Sequence, residues 1–215
     1  MKSIVKACLR DISFILMLPL ILAYKLQCLF TGRKDGFSGW SQLIALIPGT
    51  MGVYLRHAFY RHAMPDCGRD ACISFGTVFS HSGVTVGRTT YIGNYCSIGD
   101  IQIGDDVLIA SHVSIMNGCN QHGIDRLDVP VREQTGTYPP VSIGEDTWIG
   151  EQATVTASVG KHCVIGAGSL VLTPIPDYAV AVGVPAKVVK DRRDMAAAQN
   201  EATDAEDLCP ADAGS

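Results

Sequence analysis

From Ile73 to Val189 the chain repeats a pattern every six residues, and that period constrains the fold more than any other feature. The pattern is an aliphatic residue, a small one (usually glycine), two variable residues, a small or β-branched one, and a last variable one. It is met at Val86-Gly87-Arg88-Thr89-Thr90-Tyr91, then from Ile103, Ile109, Ile143, Ile149 and Ile165. Ile92 and Val159 fit if Cys96 and Cys163 count as small. A period of six is neither helical nor a simple alternating strand. It suits a short strand followed by a tight corner. The aliphatic residue turns inward, and the glycine allows a bend where a Cβ would clash. One rung cannot bury its own apolar face, so stacked rungs must share a core.

The breaks in the period are informative as well. Ile98 to Ile103 is one residue short, and Val155 to Val159 is two short, so those corners must be tightened. Ile115 to Ile143 spans 28 residues, which requires an excursion from the coil over about 117–139. Long loops on rigid scaffolds are frequently functional.

The flanks differ in texture. Residues 1–70 read as an apolar and basic helical region. Ile12 to Ala23 is apolar apart from Ser13, carries Pro19, and is shorter than the ~20 residues a bilayer span requires. Lys2, Lys6 and Arg10 precede it and Lys25, Arg33 and Lys34 follow, which gives no clear orientation. Leu22-Ala23-Tyr24 is a poor signal-peptidase site. A second apolar stretch, Leu43 to Leu55, is broken by Pro48-Gly49 and followed by Arg56, His57, Arg61 and His62. Two short apolar helices with basic rims could lie in the headgroup layer of an anionic membrane. The alternative is that they pack on the end of the coil or on another subunit. Residues 191–215 are rich in Ala, Asp and Glu and are expected to be disordered from about Ala196.

Composition removes other classes. A net charge of −4 argues against a nucleic-acid binder. The eight cysteines (Cys8, Cys28, Cys67, Cys72, Cys96, Cys119, Cys163, Cys209) include no C-x-x-C pair, which argues against zinc-ribbon and thioredoxin-like chemistry. Free thiols are the simpler reading, with a Cys67–Cys72 bridge the alternative. Cys96 and Cys163 read as small core hydrophobes.

The repeats, together with Ile143-Gly144-Glu145-Asp146-Thr147-Trp148-Ile149-Gly150, Ile165-Gly166-Ala167-Gly168-Ser169 and Val182-Gly183-Val184-Pro185-Ala186-Lys187, resemble hexapeptide-repeat acyltransferases. The likeness is to the galactoside and maltose, xenobiotic, and colanic-acid or other polysaccharide O-acetyltransferase branches. It covers Ile73 to Val189 and is specific for fold and class, less so for the acceptor. It implies a mainly β fold, a left-handed parallel β-helix over 71–190 with a protruding loop. It also implies a homotrimer with active sites between subunits, and an acyl-CoA co-substrate, most simply acetyl-CoA, without a metal. The acceptor implied is a saccharide or lipid-linked saccharide in exopolysaccharide or lipopolysaccharide biosynthesis. The place implied is the cytoplasm, peripheral on the inner face of the cytoplasmic membrane through residues 1–60.

Family members carry a general base near the start of the excursion. Here the matching residue is His122, offset by one from the xenobiotic pattern because Gln121 intervenes. Imidazole, with an unperturbed pKa near ~6.5, suits deprotonation of a hydroxyl attacking a thioester. Asp125 or Glu133 could orient it. His112 is the rival base but reads as an exposed rung residue, and His81 and His162 read as surface residues. Coenzyme A is expected along Ala167, Gly168, Gly183 and Lys187, with Lys190, Arg192 or Arg193 assisting at phosphate. Trp148 reads as rung packing or as a wall of the site. Two alternatives remain. A γ-class carbonic anhydrase needs paired histidines five residues apart, and five after His112 stands Asn117. A non-catalytic scaffold would not need the loop histidine.

Overall fold

The computed structural model describes residues 2–207. Three helices lead into the coil: α1 (Lys2–Thr31), α2 (Arg33–Ala45) and α3 (Gly49–Ala63). The apolar run around Ile12 is therefore part of a helix 30 residues long that continues through Pro19. Its Lys6–Thr31 portion is long and apolar enough to cross a membrane, where the sequence suggested too short a run. The second apolar stretch is divided between two helices, because Pro48 is the N-cap of α3. The side chains of Lys2, Arg33 and Lys34, and all of Cys209, lie outside the described residues.

The coil has three sheets of short strands. Sheet A stacks β1 (Asp66–Cys67), β4 (Thr85–Val86), β7 (Ile101–Ile103) and β10 (Val141–Ile143). Sheet B stacks β2 (Cys72–Ile73), β5 (Tyr91–Ile92), β8 (Leu108–Ile109), β11 (Trp148–Ile149), β13 (Val164–Ile165) and β15 (Ala179–Val182). Sheet C stacks β3 (Val78–Phe79), β6 (Ser97–Ile98), β9 (Ser114–Ile115), β12 (Thr154–Val155) and β14 (Leu170–Val171). All of these pair in parallel, and β16 (Lys187–Asp191) returns antiparallel along β15. The chain visits A, B and C in turn, which makes a three-sided parallel β-helix.

The coil starts one strand earlier than the repeat suggested. Cys67 takes the aliphatic position, followed by Gly68, and the hydrophobic period hides behind a cysteine. Its thiol is pushed up to about 12 by burial. The repeat aliphatics from Ile73 to Ile165 form the core, with Cys96 and Cys163 buried among them. Among the described residues the cysteines are free, Cys67 and Cys72 included. At the tight break after Val155, Val159 contributes only single bridges, to Ile143 and Ile175.

The first rung would expose a row of unpaired backbone groups. The helices cover it. Arg56 donates from Nε to the Ile73 carbonyl (2.8 Å) and from Nη1 to the Ile47 carbonyl (2.5 Å). The Phe79 N–H donates to Ser41 Oγ at 2.8 Å, and the Gly76 N–H donates to the Ala45 carbonyl at 3.0 Å. Beyond the coil, Arg192–Asp207 forms helix α4 where an irregular tail was expected. Ala196, Ala197 and Ala198 favour helix intrinsically, and Asp194 in the first turn suits its dipole.

Candidate active site

The excursion leaves the coil after β9, at the edge between sheets C and A, and rejoins it at β10. Asn117 holds both of its ends. Its Oδ1 accepts from the Asp100 N–H (2.9 Å), and its Nδ2 donates to the carbonyls of Asp100 (2.5 Å) and Pro139 (3.4 Å). Cys119 Sγ lies 2.9 Å from Thr156 Oγ1, so the loop begins against the C–A corner that follows β12. The two limbs then run together. The Thr137 N–H donates to the Asn120 carbonyl (2.7 Å), and the Tyr138 hydroxyl donates to the Gln121 carbonyl (2.9 Å).

His122 follows directly on that paired segment. Its side chain is exposed and has no partner among the described residues. Neither proposed orienting carboxylate reaches it. Glu133 sits in a short 3-10 turn beside Arg132 (3.5 Å), and Asp125 is exposed. A cavity of about 260 Å³ opens beneath the loop, lined by Ser80, His81, Ser114, Asn117, Gln121 and Tyr138 among others. His81, read from sequence as a surface residue, is thus one wall of it, with Ser80 Oγ 2.8 Å from its Nδ1. The available signal was positional. His81, Asp100 and Asn117 are polar residues at the same coil edge in successive rungs, a relation that only the rung register reveals.

His112 occupies a different edge, between sheets B and C. It adopts the left-handed backbone region (φ 58°) and stacks on Tyr95 at 5.3 Å. His162 lies at the A–B edge, where its Nδ1 meets Asp146 Oδ2 at 2.9 Å and its ring stacks on Tyr178. That contact with His162, and then the nearby Arg192 charge, hold the Asp146 carboxyl below the usual range. Among the described residues no group of three or more His, Cys, Asp or Glu is placed to hold a metal ion.

The residues expected at the cofactor do gather. Ala167 and Gly168 form the B–C corner before β14, and Gly183 lies one rung above. The Gly183 N–H donates to Ser169 Oγ at 3.1 Å, and the Gly183 carbonyl accepts from Leu170 N–H at 3.0 Å. Ala167 is exposed, and its N–H has no partner among the described residues. Gly168 (φ 66°) has no atom within 4 Å of where a Cβ would stand. That open edge with a free amide donor fits an extended, amide-bearing ligand. The side chains of Lys187 and Lys190 on β16 are exposed and have no partner among the described residues. The expected helpers Arg192 and Arg193 are engaged elsewhere. Arg192 Nη1 donates to the His162 carbonyl (2.9 Å), and Arg193 pairs with Asp191 (2.6 Å) and covers the Tyr178 ring.

Sheet C therefore has the His122 loop at one edge and the Ala167–Gly168 corner at the other. Its outward side chains Ser114, Thr154 and Leu170, in register across β9, β12 and β14, form the floor between them. Trp148 is on sheet B instead. It points outward, about half exposed, stacked in register on Leu108 and Tyr91 of the preceding rungs, and it is not a wall of this floor.

A family model described as hexapeptide repeat of succinyl-transferase matches residues 140–173. The chain is 31% identical over 146 residues to galactoside O-acetyltransferase of Escherichia coli K12, covering 65% of this chain and 70% of that protein. It is 40% identical over 126 residues to the Mycobacterium tuberculosis protein Rv3034c, provisionally named an acetyltransferase, but spans only 40% of that protein's length. Among solved structures, a maltose O-acetyltransferase from Clostridium difficile 630 superimposes with a TM-score of 0.65 at 25% identity, covering 76% of this chain and 88% of that one. A galactoside acetyltransferase in complex with coenzyme A gives 0.64 at 24% identity, covering 76% and 82%. The fold they share with this chain is the left-handed β-helix. The rungs, the excursion and these likenesses agree: the chain belongs to the hexapeptide-repeat acetyltransferases.

Proposed function

We propose that the protein transfers an acetyl group from coenzyme A to a hydroxyl of a saccharide, with His122 as general base. The observation that carries this reading is the arrangement on sheet C, with a loop imidazole at one edge and an exposed, unpaired amide edge at the other. An acyl-CoA supplies the activated thioester, whose C–S bond breaks as the new ester C–O bond forms. Ala167 N–H would bind an amide carbonyl of the pantetheine arm, Gly168 and Gly183 leave room for it, and Lys187 faces phosphate. His122 would take the hydroxyl proton during attack and return it to the departing thiolate, which leaves as the free thiol of coenzyme A. No covalent enzyme intermediate is needed. The saccharide reading draws support from the galactoside relative and from E. coli WbbJ, provisionally named for lipopolysaccharide biosynthesis and 35% identical over 122 residues.

The reading includes a homotrimer. Tyr91, Leu108 and Trp148 make an exposed apolar ladder on sheet B, and Leu127 of the excursion is fully exposed. Both suit burial against other copies. It also includes contact of the N-terminal helices with the inner face of the cytoplasmic membrane, where acyl-CoA and lipid-linked saccharides meet. Nine large apolar side chains of α1, from Ile12 to Phe30, are exposed, and these support that contact.

A second assignment of the base has its own support, since His81 lines the cavity and His122 does not. Thiol release from acetyl-CoA with a panel of glycoside acceptors separates them. His122→Ala should lower turnover by roughly 10²-fold or more, whereas His81→Ala should mainly raise acceptor KM and His112→Ala should leave both unchanged. Retained turnover in H122A with loss in H81A would transfer the role to His81.

A further inference from the structure

Helices α1 and α3 flank an open cavity of about 500 Å³ away from sheet C. It is lined by Arg10, Asp11 and Phe14 from α1, by His57, Arg61 and His62 from α3, and by Arg69 from the first corner of the coil. A second cavity of about 550 Å³ shares Arg10, His57 and Arg69 and adds Lys6 and Asp70. Asp70 is consumed by an ion pair with Arg10, whose guanidinium also reaches the Arg69 carbonyl at 3.5 Å. The side chains of Arg61 and Arg69 have no partner among the described residues, and Asp11 is the acidic side chain of the lining that remains. The lining of the first cavity therefore carries three arginines against one carboxylate. Burial lowers the His57 pKa first; its bond to the Gly68 carbonyl opposes this, and the Arg61 and Arg10 charges add to it. Such a concavity suits a phosphate, which an arginine binds in a planar, two-pronged manner.

The adjoining surface of α1 indicates which phosphate. Ser13, Met17, Ile21 and Tyr24 form the stripe buried against α2 and α3. The opposite stripe, Ile12, Ile15, Leu22, Leu26, Leu29 and Phe30, is exposed, Phe30 at 83%. A helix apolar on both faces needs a second apolar phase. Spanning would draw Lys25 and Arg61 into hydrocarbon along with α2 and α3, which Ser41 and Arg56 fix to the coil. Lying in the interface leaves those charges among headgroups, with the outward stripe in the acyl layer.

We infer that the α1–α3 cavity is a headgroup site for an anionic glycerophospholipid, gripped by Arg61 and Arg69, with the outward stripe of α1 embedded beside it. This rests on the membrane contact proposed above and assigns its chemistry. It seats the coil beside the bilayer, which would favour acceptors that are themselves lipid-linked.

Flotation of the full chain tests it, using vesicles of phosphatidylcholine alone or with about one-third phosphatidylglycerol. The wild type should float with the anionic vesicles and weakly with the neutral ones. Arg61→Ala with Arg69→Ala should lower partition by roughly 10–30-fold. The thermal midpoint should be unchanged, because both side chains are exposed. Ile15→Glu with Leu22→Glu should abolish flotation on either vesicle while leaving the oligomeric state intact. Absence of wild-type flotation would overturn the membrane reading itself. Equal flotation on both vesicles, unaltered in the double arginine variant, would overturn only the headgroup assignment. Release by millimolar inorganic phosphate at matched ionic strength would make the cavity a soluble-phosphate site instead. Dissociation of the oligomer by the Ile15 and Leu22 changes would make the stripe a subunit interface.

Discussion

The side-chain amide of Asn117 bonds both the N–H and the carbonyl of Asp100, one rung away, and its third contact is the Pro139 carbonyl at the far end of the excursion. One nearly buried residue thus sets where the loop leaves the coil and where it returns. Asn117→Ala should cost about 1–3 kcal/mol in urea unfolding, because three backbone groups lose its side-chain amide as a partner. Turnover should fall at least ~10-fold, because a loop released at its base no longer holds His122 in position. Normal turnover in a destabilised N117A would separate the latch from catalysis.

Gly136 controls the same loop more locally. A Cβ there would lie 2.0 Å from the Gln121 carbonyl oxygen and 2.6 Å from the His122 nitrogen. Gly136→Ala must push aside the peptide that bears His122. Because the loop is exposed, global stability should change by less than ~1 kcal/mol, while turnover with the best glycoside should fall by ~10-fold or more. Ala at 136 with full activity would show that the position of His122 does not matter to the chemistry.

How far the sequence could be read depends on which residues carry the information. The coil was legible because each rung repeats Ile-Gly with its own local reason, an inward aliphatic and a corner without a Cβ. The first rung was not, because Cys67 stands where the period calls for an aliphatic. The excursion was legible as a gap between Ile115 and Ile143, but the cavity beneath it was not. Its walls His81 and Tyr138 are 57 positions apart, and only rung stacking and the returning limb bring them together. Arg192 and Arg193 looked available for phosphate because sequence cannot show their ties to His162 and Asp191. The length of α1 was underread because Pro19, a helix breaker by propensity, is tolerated inside it.

Arg56 shows how the helical cap is joined to the coil. Its side chain is fully buried, it serves two carbonyls, and its Nη2 has no partner among the described residues. Arg56→Met fits the space but leaves the Ile47 and Ile73 carbonyls without donors. Relief from burying a charge offsets part of that loss, so the net cost should be about 2 kcal/mol. Arg56→Lys, which can serve one carbonyl, should fall between the two in chemical denaturation. If Met were as stable as Arg, the cap would be held by apolar packing alone.

The last prediction concerns acid. The His57 imidazole bonds the Gly68 carbonyl at 3.0 Å, and its pKa in the fold is lowered, chiefly by burial. Below the unfolded value near 6.5 the unfolded chain takes up a proton that the folded chain refuses. The unfolded state then binds more protons, and stability falls with falling pH until the lowered folded pKa is reached. His62 acts in the same sense, its pKa lowered by burial and by the Lys25 and Arg61 charges. Carboxylates titrate little between about pH 5.5 and about pH 7.5, so the change in urea midpoint across that interval reports mainly on histidines. His57→Gln can still donate to Gly68 and cannot titrate, so its midpoint should shift less than the wild type's over the interval. An equal shift in H57Q would mean that His57 charges as readily in the fold as outside it, and that the ring is not sealed between α3 and the first corner of the coil.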